Sequence, residues 1–182
     1  VTNRSKAKSL NSPDLEKIPD PHIRMSLQLQ QAFGLRREEA IKFQPEFADR
    51  GDQIRLKTSW TKGGKRREIP IRTDAQRELL DRIRKQVGSG SLIPADRSYV
   101  QQLRLYERLT ANAGLSRMHG LRHDYAQRRY EELTGWKSPA AGGPRVRALT
   151  PEQRLIDRKT RLAISIELGH SRGQVLSIYL GN

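Results

Sequence analysis

Glu167-Leu168-Gly169-His170-Ser171-Arg172-Gly173-Gln174-Val175-Leu176-Ser177-Ile178-Tyr179-Leu180, close to the end of the sequence, joins a glycine turn, a histidine, a helix start and a tyrosine. Ser171 followed by Gln174 is a capping-box pattern, so the spacing predicts a short helix opening just after His170. Tyr179 lies on that helix, nine positions past the histidine. A phenol can attack a phosphodiester that a histidine helps to hold, but such a reaction needs further groups from elsewhere in the chain.

Composition narrows where to look. At 182 residues the chain can bury one real core, or a core plus a small appendage. Lys and Arg number 35 against 20 Asp and Glu, a formal net charge of +15, which marks a polyanion as partner. Long helical patterns argue against a disordered basic tail. A membrane surface fits less well than nucleic acid, because no apolar run approaches spanning length and no basic helix has a continuous apolar face. Without cysteine there is no disulfide and no thiolate metal site, which fits a reducing cytoplasm. The first 21 residues are polar and carry no signal-peptide apolar region.

Upstream of the closing stretch the pattern is mostly helical. Residues 1–20 read as a flexible basic lead-in or linker remnant, and residues 21–182 as one domain. Ile23, Leu27, Leu29 and Phe33 predict a helix ending near Gly34, and a second over residues 35–43 stops at Pro45. Residues 53–58 and 67–71 alternate as strands around a glycine turn, predicting one antiparallel hairpin, with Arg67, Ile69 and Ile71 in phase. Helices follow over 72–87, with Ala75, Leu79, Leu80, Ile83 and Val87 inside, over 98–113, and from about Ser116 to Leu133. After an irregular loop over 135–149 a helix restarts at Thr150-Pro151, and a further helical segment over 161–168 delivers the chain to His170. The fold class is α+β, mainly helical, with a small antiparallel sheet.

Phosphodiester attack needs a nucleophile, positive charge on the non-bridging oxygens and a proton donor for the leaving oxygen. Arginine suits the oxygens, since its planar fork can bind two of them and keeps its charge. His119 and Arg122, three apart at a helix start, project from one face. Arg36 opens its own helix with Glu39 one turn on to orient it, and Lys62 sits at the hairpin tip.

Gly34-Leu35-Arg36-Arg37-Glu38-Glu39, Lys62-Gly63-Gly64-Lys65-Arg66-Arg67-Glu68-Ile69-Pro70-Ile71, His119-Gly120-Leu121-Arg122-His123 and Leu168-Gly169-His170 with Tyr179 together resemble the catalytic domain of the tyrosine recombinases, the phage-type integrases. The resemblance runs from about Pro21 to the C-terminal end. It implies that Arg36, Arg122 and His170 hold the scissile phosphate and that Lys62 protonates the leaving oxygen. His119 would assist proton transfer at Tyr179, which would form a 3′-phosphotyrosyl bond. It also implies no metal or other cofactor, double-stranded recombination sites as substrate, a homotetramer on DNA when full length, and action in a bacterial cytoplasm at the nucleoid for a mobile element or prophage.

Two departures stand out. Arg122 and His170 are 48 positions apart, about twice the family's usual gap, so residues 136–158 read as an insertion offering Arg145, Arg147, Arg154 and Arg158 to DNA or a partner. The helical clamp and the tail beyond the tyrosine that family members carry have no counterpart, so the sequence reads as a catalytic fragment. Lys65 and Arg66 are further candidate DNA contacts. Plainer readings hold for other residues: solvated faces for Arg37, Arg66, Arg67, Arg128 and Arg129, packing for Tyr99, Tyr106, Tyr125 and Tyr130, and a buried structural role for His123. Rival functions are a catalytically silent DNA-binding or regulatory protein on the same scaffold, and a metal-dependent nuclease, which lacks a convincing ligand cluster.

Overall fold

The computed structural model describes residues 4–170 and 176–182. The capping pair Ser171 and Gln174, and the helix start expected there, lie outside the described residues. Of the closing stretch, a helix over Leu176–Leu180 is described, with Tyr179 on it.

The N-terminal segment is the first departure from expectation. Rather than leading in loosely, it lies on the domain. Leu10 and Ile18 are buried in a cluster with Ile23, Leu27, Ile41, Tyr106 and Leu121. Lys8 N donates to Gly120 O at 2.9 Å, Leu10 N to Gln31 Oε1 at 2.7 Å, and Ser5 Oγ to Gln127 Oε1 at 3.1 Å. Helix α1 (Ser12–Glu16) is closed by a complete capping box on Asn11. These two apolar side chains help to dock it, each contributing about 1.5–3 kcal/mol when fully buried, alongside the hydrogen bonds just named.

Helix α2 (Pro21–Phe33) starts on an Asp20 cap and ends at Gly34 in the left-handed region, φ 66°. Glycine is needed there twice over, since a Cβ would also fall 2.6 Å from Tyr125 Cδ1. α3 (Arg37–Ile41) is shorter than expected, and Arg36 is its N-cap residue with extended backbone. Pro45, read as a stop, also opens a short helix, α4 (Pro45–Ala48), where its missing N–H is harmless.

Strands β1 (Gln53–Leu56) and β2 (Arg67–Pro70) pair antiparallel in the register Gln53↔Pro70 to Leu56↔Arg67. Ile54, Leu56 and Ile69 face the core as their alternation requires. Arg67 faces it too and is 2% exposed, which corrects its reading as a solvated residue. The hairpin connection holds two short 3₁₀ turns, over Thr58–Trp60 and Lys62–Gly64.

Three long helices follow. α5 (Asp74–Val87) is capped reciprocally by Thr73 and Gln76. Gln76 is buried, bonded to Ala32 O, while Ala75, expected inside, is exposed. α6 (Tyr99–Asn112) starts on Ser98, and α7 (Gly120–Thr134) runs through the centre, contacting α2, α8 and α9.

The loop after α7 contains 3₁₀ turns at Pro139–Ala141 and Val146–Ala148. α8 (Pro151–Glu167) is one continuous helix, so the segment read as an insertion ends inside it and the expected break near residue 161 is absent. Its inward face is largely polar, with Asp157, Thr160 and Glu167 buried, while Leu155, Leu162 and Ile166 are exposed. α9 (Leu176–Leu180) packs on α7 and α8. The main core gathers α2, the hairpin, α5, α7 and α9. Among the described residues no helix is long and apolar enough to cross a membrane.

Candidate active site

α7 brings the site together. Arg122, on its first turn, is 1% exposed, and its fork is anchored to two backbone carbonyls. Nη1 donates to Gly34 O at 2.7 Å, and Nη2 donates to Leu168 O. The loop after α2 and the turn after α8, 134 positions apart in sequence, are thus joined through one guanidinium. The same Nη2 lies 3.2 Å from His170 Nε2, and Nε donates to the Tyr179 hydroxyl at 3.2 Å. That hydroxyl is also 3.3 Å from His119 Nε2. Tyr179 is 4% exposed, its carbonyl accepts from Gln127 Nε2 at 3.0 Å, and its ring packs on His123 with centroids 4.4 Å apart.

Arg36, the N-cap residue of α3, adds a further cation nearby. Its Nη1 is 3.1 Å from Glu39 Oε1, and the side chain stays 23% exposed while Glu39 is buried. Its charge is close enough to lower the pKa of His119, Arg122 and His170. Arg36, Lys62 and His119 line one hollow of about 640 Å³. The structure therefore gathers Arg36, Lys62, His119, Arg122, His170 and Tyr179 in one region, with Glu39 beneath Arg36. Lys65, Arg66, Arg145 and Arg147 do not line this hollow. Arg66 pairs with Glu68, while Arg145 caps the last 3₁₀ turn and Arg147 lies within it, both exposed.

Beneath the hollow lies a residue whose importance sequence reasoning missed. Arg67 Nη1 pairs with Glu39 Oε2, while Nε and Nη2 donate to Glu167 O at 3.1 and 2.8 Å. One buried guanidinium thus holds the carboxylate that holds Arg36, and also the end of α8 that leads to His170. Gly169, φ 74°, lies over it, and a Cβ there would overlap Arg67 Cδ. Arg129, also read as solvated, is largely buried with the Glu167 carboxylate at 3.0 Å, which accepts from Tyr125 Oη at 2.6 Å as well. The available signal was the strand alternation, which put Arg67 in phase with Ile69.

The imidazoles are held neutral. Burial pushes His170 down to about 4, with the Arg122 and Arg36 charges adding to it. Burial first, then His119 and Lys6, brings His123 down to about 4. His119 is lowered from its ordinary value by burial, Arg122 and Arg36. A neutral His119 beside a phenol is able to accept a proton at pH 7. Among the described residues no group of three His, Cys, Asp or Glu side chains is placed to hold a metal ion.

The chain is similar to several solved DNA complexes. Against a lambda integrase dimer bound to a COC′ core site the TM-score is 0.58 at 19% identity, covering 98% of this chain and 48% of that one. Against the XerH site-specific recombinase bound to difH the values are 0.53 and 19%, covering 98% and 52%. Against the Tn1549 transposon integrase with circular intermediate DNA they are 0.56 and 14%, covering 98% and 62%. The chain thus spans about half to three-fifths of the length of these structures. A comparison with curated proteins returned no match. The likeness fixes the class: the fold is that of the tyrosine recombinase catalytic domain. A family model described as Integrase matches residues 7–128, and the chain belongs to that family.

Proposed function

We propose that the chain carries the catalytic machinery of a site-specific DNA recombinase that cuts and rejoins strands through a 3′-phosphotyrosyl link at Tyr179. The observation that carries this reading is the Tyr179 hydroxyl, 3.2 Å from Arg122 Nε and 3.3 Å from His119 Nε2. In the reaction, neutral His119 accepts the phenol proton as the oxygen attacks phosphorus. Arg36, Arg122 and His170 hold the non-bridging oxygens, whose charge is greatest in the pentavalent state. Lys62, on the wall of the same hollow, gives its proton to the departing 5′ oxygen. One P–O bond forms as another breaks, so the phosphotyrosyl ester retains the bond energy and a partner strand's 5′ hydroxyl can reverse the step without ATP.

The similar structures support this reading through their ligands. Lambda integrase is seen as a tetramer bound to a Holliday junction, with 18% identity to this chain and a TM-score of 0.56. On that basis the substrate is a pair of double-stranded recombination sites of a mobile element or prophage, and the working assembly of the complete protein is a homotetramer at the bacterial nucleoid. Lys65, Arg66, Arg145 and Arg147 serve as outlying backbone contacts. A pool of nicked duplexes of randomised sequence, incubated with EDTA present, tests the chemistry. Wild type should be trapped on DNA in denaturing gels, with the adduct on Tyr179, and Tyr179→Phe should leave no adduct. Equal trapping by the phenylalanine variant refutes the nucleophile. Duplex binding with no wild-type adduct favours a silent DNA-binding protein.

A further inference from the structure

On the far side of His119 lies a second hollow, of about 460 Å³, between the N-terminal segment and the start of α7. Arg4, Lys6, Lys8, Arg117, His119 and His123 contribute to its wall, and no acidic residue does. Lys8 Nζ is engaged with Ser116 O at 2.5 Å. Among the described residues, Arg4, Lys6 and Arg117 are in no ion pair, unlike many of the chain's arginines. The wall is built rather than draped. Gly120 lets residues 6–8 lie directly on the first turn of α7, since a Cβ there would fall 2.7 Å from Lys8 Cγ and 2.8 Å from Lys6 O.

Two details point to a ligand. His123 is 3% exposed, and its Nδ1 is one of the few buried side-chain polar atoms with no hydrogen-bond partner among the described residues. A buried polar atom left unpaired is costly, so a ligand that reorients the His123 ring at this wall could supply the missing partner. Arg117, on the ridge between the hollows, has φ 55°, a left-handed conformation that is strained for a side chain of this size. Arg117 and His119 line both hollows, so the two adjoin across these side chains. The backbone N–H groups of residues 120–122 are already bonded to the carbonyls of residues 117–119, so positive charge here comes from side chains and not from free amides.

We propose that this hollow is a second phosphodiester subsite, taking the phosphate next to the one held at Arg122 on the same strand. Like the function above, this rests on a DNA substrate, but it does not depend on Tyr179 chemistry. Arg4 and Lys6 supply the charge, Arg117 bridges the two phosphates, and His123 lies at the inner wall.

The test uses the whole chain and a duplex of mixed sequence, with binding read by fluorescence anisotropy from 50 to 200 mM salt. Each phosphate contact contributes about 0.9 to the slope of log affinity against log salt. Arg4→Ala/Lys6→Ala, both exposed, should flatten the slope by about 0.9. Arg104→Ala/Arg108→Ala on α6, an equal loss of charge away from both hollows, should change it less. In parallel, duplex should shift the His123 ring resonances of wild type but not of the double variant, and millimolar inorganic phosphate should reproduce the shift only weakly. The proposal is overturned if the α6 pair flattens the slope as much, if His123 is unmoved by duplex, or if micromolar free phosphate occupies the hollow and duplex fails to displace it. Failure of Tyr179 trapping with these binding results intact would remove the recombination reading and leave the subsite.

Discussion

Arg67→Met should unfold the protein more easily than its position on a two-stranded hairpin suggests. Methionine is close in volume, so packing is largely kept and the change isolates the charge. Removing the guanidinium leaves Glu39 buried with Arg36 as its remaining partner, and leaves the Glu167 carbonyl without its two donors. Breaking a buried pair by deleting one partner costs about 3–5 kcal/mol. Arg36 still neutralises part of Glu39, which argues for the lower end, about 3 kcal/mol. With a urea m-value of about 2–3 kcal/mol/M, the midpoint should fall by roughly 1 M. Arg67→Met/Glu39→Met removes the orphaned carboxylate and should recover part of the loss, giving a coupling energy of about 1–3 kcal/mol in a double-mutant cycle. A midpoint shift of less than about 0.2 M for Arg67→Met, or single losses that simply add, would show that Arg67 does not hold Glu39 in this way.

Acid should loosen the fold before the carboxylates titrate. His123 and His170 sit near 4 in the folded chain against an ordinary value of 6.5. Their stability contribution is therefore full above about pH 6.5 and is lost as pH falls toward 4, since the unfolded chain binds the protons first. Thermal melts should show Tm falling steadily between pH 7 and 5, and a flat profile would contradict the assignment. Gly169→Ala should cost about 2 kcal/mol or more, because it places a methyl on Arg67 in a left-handed conformation whose own penalty is about 1–2 kcal/mol. Gly135→Ala, also at positive φ but with open space around it, should cost only the conformational part, and equal losses in denaturant melts would show that the overlap does not matter.

Residues close together in sequence were readable, and those that depend on distant partners were not. His119 and Arg122 share a helical face whatever the fold, and the helices expected over 72–87, over 98–113 and from Thr150 are present, each opened by a capping box. Arg67 could be placed on the inward side of its strand, yet its partners lie 28 and 100 positions away, and an arginine without visible partners is reasonably left in water. Helix α8 hid its continuity because its buried face is carried by Asp157, Thr160 and Glu167 while several of its aliphatic residues point outward. The usual apolar stripe is missing from the inside. The N-terminal segment misled for a similar reason, with Leu10 and Ile18 diluted among lysines and serines.

If Arg122 holds a phosphate as proposed, the phenol oxygen lodged against its Nε occupies one of the donors that phosphate would use. Any phosphate that is to use that arginine fully must first evict an atom tethered in the same chain, whose effective concentration is on the order of millimolar or above. A strand gripped at several points at once has the most leverage to displace that atom, so under the proposed function readiness to cut would be rationed by how completely the nucleic acid has docked.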